Sequence, residues 1–448
     1  MIKKSVFLIT FLLIIFLASF SIIAFEDIVI PYNSYIYNYW GNPVHSPEPY
    51  TPSNLITSQK LGFSLRTPRD LFVDHNDFVY LLDTGNDRLI ILDDNFNVDK
   101  VIDSFINREK EDVFSSPEGI FVTLQGDIYI ADTGNRRVVA LDKDGELLRI
   151  IESPVSETEG IIPDNYNYRP TKLVLDSAGR LFVVSRETYE GLLEFDVDGR
   201  FSGFIGAPPI EPDMFDYFWS RFVASDAQRA RMKITLPTEF SNIDIDRRGF
   251  LYTTTSDLDR EDRIRRLNPA GKDVLRRTGE LPPIGDLGSV LRDDEGELIL
   301  PPSRFVDIDI GRHDIYSVLD VERGRIFTYD GYGDLLYVFG NRALQKGAFS
   351  NPVALASRSD NSILVLDSSM ERITVFKPTE YQQTIYGAIE SYNTGKYDLS
   401  TDYWKNVLQL NRNYDLAYSG IAEAYFRQND YSAAMTNYRL GHNRKGYS

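Results

Sequence analysis

One pattern recurs along the middle of this chain, and a repeat of about fifty residues restricts its fold more than any other feature. Pro68, Asp83 and Arg88 return as Pro117, Asp132 and Arg137, each 49 positions further on. Within the first copy, apolar runs at 71–73, 78–82, 89–92 and near 98–102 are parted by turn residues at 74–77, 83–87 and Asp93-Asp94-Asn95. Four short antiparallel strands in roughly 45–50 residues form one blade of a β-propeller.

Weaker copies follow at 170–196, 243–267, 306–329 and 352–376. Six units predict an all-β six-bladed propeller over residues 51–378. The last copy stops after its third strand at Phe376, so its fourth strand is expected from residues 55–65, which would close the ring and hide both sheet edges.

The units resemble the NHL-repeat propellers in Pro-x-[Gly/Asp]-[Ile/Leu]-x-Val at the blade start, then Asp-x4-Arg, then Asp-x-x-Gly as in Asp142 to Gly145 and Asp196 to Gly199. The Asp/Arg pairs are Asp83/Arg88, Asp132/Arg137, Asp320/Arg325 and Asp367/Arg372, while copies three and four have Ser185 and Thr254 in place of the aspartate. These pairs read as structural: aspartate accepts turn amides and arginine packs beside it, offsetting its charge.

After Pro378 the period changes. Tyr386, Tyr392, Tyr397, Trp404 and Leu408 recur with helical spacing, and Ala388, Tyr397 and Trp404 return 34 residues later as Ala422, Tyr431 and Tyr438. Paired helices with this period resemble tetratricopeptide repeats, so 379–448 is expected to be a small all-α array with Ile421, Ala422, Tyr425, Ala434 and Tyr438 in its core. Two such repeats do not bury their own faces; either the last helix docks on the propeller or another chain, or the array continues.

At the other end, Lys3 and Lys4 precede an apolar run from Val6 to Ala24, followed by Glu26 and Asp27. Residues 1–25 read as a signal peptide cleaved near Ala24 or a membrane anchor, placing the rest of the chain outside the membrane. Residues 26–50, rich in Tyr, Asn and Pro, read as an extended linker with one edge strand. An insertion at about 208–232 breaks the blade pattern, and its Phe215, Phe218, Trp219 and Phe222 fall on one helical face. It is a candidate ledge for a sugar or peptide.

Composition removes function classes. With no cysteine there are no disulfides, thiolate metal sites or cysteine nucleophiles. The 48 Lys+Arg against 66 Asp+Glu, a net charge of −18, argue against a nucleic-acid partner. Residues 379–448 hold seven basic and seven acidic side chains, so the excess belongs to the propeller. His45, His75, His313 and His442 are dispersed, and no Gly-x-Ser-x-Gly elbow or glycine-rich phosphate loop is present.

Catalytic propellers hold metal ions in the central channel. The residues before the inner strands align as Asp70, Gly119, Lys172, Asn242, Phe305 and Ala354, in which Asp70, Lys172 and Asn242 form the polar mouth. That set is a poor cation cage, and no cofactor is expected. The sequence therefore predicts a non-enzymatic, exported scaffold that binds a protein partner through the helices and propeller rim, or a glycan, touching membrane only through its N-terminal segment. Alternatives are a metal-dependent lactonase or lyase using the channel near Asp70 and Asn242, and a carbohydrate-binding component of an uptake system.

Overall fold

The computed structural model describes residues 34–155, 161–162, 166–207, 239–255, 262–277, 281–287 and 301–447. The N-terminal apolar run and the aromatic insertion, with Phe215, Phe218, Trp219 and Phe222, lie outside these. No helix among the described residues is long and apolar enough to cross a membrane.

Six antiparallel sheets form the blades of a propeller. Blade 1 runs Asp70–Val73, Val79–Asp83, Arg88–Leu92 and Val98–Ile102 in spatial order. The inner strands of blades 2 to 6 are Gly119–Val122, Pro170–Leu175, Phe240–Ile245, Phe305–Ile310 and Pro352–Ser357. Blade 4 has three strands among the described residues, with Leu267 bridging to Asp273 where a fourth would begin.

Packing explains the hydrophobic pattern. A second strand such as Val79–Asp83 is sandwiched between neighbouring blades and is buried along its whole length, whereas the outer strand Val98–Ile102 buries only Ile102. The core is accordingly a ring of interblade clusters. One holds Leu81 and Ile90 of blade 1 against Leu364 and Leu366 of blade 6, and another holds Leu82 and Ile91 against Ile128 and Ile130 of blade 2. Each such side chain contributes roughly 1.5–3 kcal/mol on leaving water.

The ring is closed by an N-terminal strand, but an earlier one than the spacing predicts. Tyr50–Ile56 pairs antiparallel with Arg372–Pro378, and residues 58–61 form a helical turn. Part of the expected linker is also ordered: Tyr35–Tyr37 and Pro43–His45 extend blade 5 at its outer edge to six strands. The polar anchor is Asp286, 3% exposed, which accepts from Tyr35 Oη at 2.7 Å, from Tyr37 Oη, and from Arg323 at 2.9 Å.

Four longer helices follow, α1 (Glu380–Asn393), α2 (Tyr397–Leu410), α3 (Asp415–Arg427) and α4 (Tyr431–Leu440), and then a single helical turn at Arg444–Tyr447. The helix α1 starts where the closing strand begins, because the Thr379 hydroxyl caps it and donates to Glu48 O at 2.7 Å while Thr379 N donates to Pro49 O at 3.0 Å. Tyr381, Ile385 and Ala388 present one face and, with Trp404, Val407, Ala417 and Ile421, join the core between blades 5 and 6. Tyr414 Oη donates to Leu336 O at 2.7 Å. The first three helices therefore make the junction with the propeller, and His442, just beyond α4, stacks on Tyr39 at 5.6 Å. Helix α4 rests on α3 through Ala422, Ala434 and Tyr438.

Candidate functional site

Two polar places lie on this scaffold, a channel along the propeller axis and a cleft between the propeller and the helices. Pairing with the second strands fixes the equivalent channel positions: Asp70, Gly119, Lys172, Asn242, Asp307 and Ala354. The fifth is Asp307 and not Phe305: Asp307 pairs with Leu319 as Lys172 does with Val184 and Asn242 with Thr254, while Phe305 takes the place of Pro170 and Phe240 on the far side of the bulge. Asp70, Lys172 and Asn242 do come together, and Asp307 is the group that joins them.

Lys172 Nζ lies 2.5 Å from Asp70 Oδ1 and 3.6 Å from Asp307 Oδ1, and Asn242 donates its amide to Asp307. Blades 1, 3 and 5 alternate around the ring, so the Lys172 side chain ties three non-adjacent blades across the axis. Each carboxylate also takes an amide of the next blade: Asp70 from Ile120 N at 2.9 Å and Asp307 from Leu355 N at 2.6 Å. One layer further along, Asp244 accepts from Ile310 N at 2.9 Å and Asp309 from Ser357 N at 3.2 Å.

Burial raises the carboxyl of Asp70, with Lys172 opposing, and pushes Asp307 up to about 7. Burial and the facing Asp309 push Asp244 well above the usual carboxylate range. Burial disfavours the charged Lys172 too, but Asp307 and Asp70 outweigh it and keep the ammonium protonated. The remaining space is about 70 Å³, enough for a handful of waters. An ammonium already sits between the two carboxylates, and no group of three or more metal-ligating side chains occurs among the described residues. These channel residues do not fit a divalent cation.

The blade-turn aspartates are structural. Asp83 Oδ1 accepts from Arg66 N at 2.6 Å, Asp132 from Ser115 N at 2.7 Å, Asp320 from Arg304 N at 3.0 Å and Asp367 from Ser350 N at 2.6 Å. Their arginines divide into two kinds. Arg88 and Arg137 pair with Asp83 and Asp132 at 2.8 Å, but Arg325 lies over the Tyr35 ring and Arg372 donates to Gln345 O and Ala348 O, with no ion pair to Asp320 or Asp367. In blade 3 Ser185 Oγ substitutes, accepting from Arg169 N at 3.0 Å. In blade 4 the equivalent residue is Thr255, opposite Phe240, rather than Thr254.

The cleft, about 510 Å³, is the larger place. Its propeller side is the hairpin turn Asp330 to Asp334 of blade 5. Its helical side is Ile389 and Tyr392 of α1, Trp404 of α2 and Ser419, Gly420 and Glu423 of α3, and Tyr37 to Tyr39 close one end. Asp330 Oδ1 accepts from Tyr332 N and Asp334 N, each at 2.9 Å. Burial, then the charges of Asp334 and Glu423, push Asp330 up to about 8. Burial and Asp334 push Glu423 up to about 7 against the pull of Arg427. Glu423 has no hydrogen bond and no ion pair within 4 Å among the described residues. Arg276 lies 5.1 Å over the Tyr332 ring.

Sequence reasoning did not single out the cleft. The signal present was Glu423, one 34-residue period beyond Ile389, which puts an acid where the other repeat has an apolar residue on the same wall.

No protein-family model matches this chain, and no curated protein matches it. Among solved structures it is similar to a streptogramin B lyase at 12% identity and a TM-score of 0.45, covering 74% of this chain and 100% of that one. It is also similar to a catalytically inactive virginiamycin B lyase from Staphylococcus aureus with quinupristin, at 13% identity and a TM-score of 0.42, over 70% and 80% of the two chains. A further virginiamycin B lyase from that organism matches at 11% identity and a TM-score of 0.44, over 74% and 100%. These likenesses are distant, and the count of six blades rests on this chain's own sheets.

Proposed function

We propose that the protein is a non-catalytic binding scaffold held or released outside the membrane, with an NHL-type propeller and tetratricopeptide-like helices that together take a partner in the cleft between them. The observation that carries this reading is the cleft itself. It combines aromatic walls with a carboxylate, Glu423, that has no partner among the described residues, which is the mixture of apolar surface and a few convergent polar groups that ligand sites show. The channel offers the opposite, since its charged groups are used in holding blades together. Export is supported by Lys3, Lys4 and the apolar run to Ala24.

The test is a photo-cross-linking residue placed at Tyr332, compared with one at the exposed Leu124 on blade 2. The expected result is one species captured at position 332 and absent at position 124. Capture of the same species at both positions would count against the cleft. Mass spectrometry of the mature N-terminus, expected near residue 25 or intact with the membrane fraction, checks the export reading.

A further inference from the structure

We infer that the face formed by Phe426, Tyr431 and Met435 is a second docking surface, which takes an amphipathic helix of a partner protein laid antiparallel on α4 as α3 is laid on α2. It is separate from the cleft, since none of these three residues lines it. The 34-residue period supplies the template. Phe426, Tyr431 and Met435 correspond to Tyr392, Tyr397 and Thr401, one period earlier. The rings of Tyr392 and Tyr397 meet edge to face at 5.6 Å, and those of Phe426 and Tyr431 repeat the arrangement at 5.5 Å.

The two faces differ in their cover. On the first, Arg427 Nε donates to Tyr392 Oη and Gln428 Nε2 to Asp398 Oδ1, each at 3.1 Å, while Gly420 lies on Trp404, where a Cβ would fall 2.3 Å from Nε1. The end of α3 thus meets the start of α2, an antiparallel pair, and Thr401 is left 2% exposed. On the second face Phe426, Tyr431 and Met435 are 50%, 53% and 45% exposed. Met435 and Tyr431 stand one turn apart on the same side of α4, so the three make one patch. The position that is a covered threonine in the first repeat is therefore an open methionine in the second, a side chain that adapts to an apolar partner.

The cover on the first face also defines the partner. Gly420 and the fully buried Ala424 let α3 approach α2 closely, and Arg427 and Gln428 bring polar heads to the aromatic pair in the final turn. The helix that fits the second face carries the same small residues and a basic residue near its C-terminal end, which would lie on the Phe426 ring. Its starting point is set as well: Gly446 of the turn Arg444–Tyr447 already sits on Tyr438, where a Cβ would fall 2.4 Å from the ring, as Gly420 sits on Trp404. The added helix begins beside this turn and runs from Met435 to Phe426. A second copy of this chain fits less well, because it brings the same large side chains to the contact in place of small ones.

The test titrates the full chain with a dye-labelled, helix-stapled peptide of residues 419–430, read by fluorescence anisotropy beside a scrambled peptide of the same composition. The native-order peptide is expected to bind about tenfold more tightly. Ala424→Leu in the peptide should remove that preference. In the protein, Met435→Lys should weaken binding about tenfold at an unchanged melting temperature, and Leu124→Lys on blade 2 should leave it unchanged. Equal binding of the two peptides, no binding at millimolar concentration, or binding that Met435→Lys does not alter would overturn the inference. So would a dimer in sedimentation that Met435→Lys dissolves, which would give the face to a second copy.

Discussion

The channel and the cleft are both lined by carboxylates raised by burial, and they differ in what those carboxylates touch. In the channel each one accepts an amide of the following blade, and two share Lys172. In the cleft Asp330 serves its own turn, while Glu423 has no hydrogen bond or ion pair among the described residues. A buried charge with partners is part of the framework, and one left without them costs stability that a ligand can return. Raised pKa values alone would have ranked the two places together.

The sharpest way to break this contrast is Lys172→Met. It strands Asp70 and Asp307 in the channel, so a loss of about 3–5 kcal/mol is expected in urea unfolding, with part restored in the double variant with Asp70→Asn. A loss under 1 kcal/mol would show the channel network to be as dispensable as a surface pair.

Next in size is Gly119→Ala. A Cβ there would meet Thr171 O at 2.3 Å and Lys172 Cα at 2.9 Å, so blades 2 and 3 must part, at a cost of about 1–3 kcal/mol seen as a lower melting temperature. Tyr414→Phe removes the hydroxyl that holds the helices to Leu336 O, and about 1 kcal/mol is expected from hydrogen exchange of α3.

Smallest is a pH effect. The folded form binds protons at Glu423 and Asp330 more tightly than the unfolded chain, so both favour folding at low pH, and that contribution is lost as pH rises through about 7 and about 8. The double variant Glu423→Gln/Asp330→Asn should flatten this part of the stability profile by under about 1 kcal/mol, since the cleft is open to solvent. Asn268 occupies the matching turn in blade 4 and accepts from Ala270 N and Lys272 N, so asparagine is compatible with the turn.

The blades were legible because their strands are short, alternate with turns and repeat landmarks at a fixed offset. What escaped was whatever a bulge or a long-range contact decides. Phe305-Val306-Asp307-Ile308 offers two apolar residues each preceded by a candidate, and only the pairing of Asp307 with Leu319 selects between them. The same applies to Thr255 against Thr254. The strand Tyr50–Ile56 carries Pro52, and the spacing places the closing strand at 55–65 until its partner at 372–378 is known. The cleft was invisible for a related reason: it exists only because α1 to α3 dock on blade 5, and no local pattern encodes that juxtaposition.

The closing strand has a consequence in time as well as in space. Tyr50–Ile56 is among the first parts of the propeller to be made and the last to be paired, since its partner Arg372–Pro378 lies more than three hundred residues downstream. Until then an unpaired edge waits in an incomplete ring, the situation in which strands recruit foreign partners. Pro52, which withholds an amide, and the polar Ser53 and Asn54 blunt that edge. The clasp is thus built to be a poor template for any strand but its own.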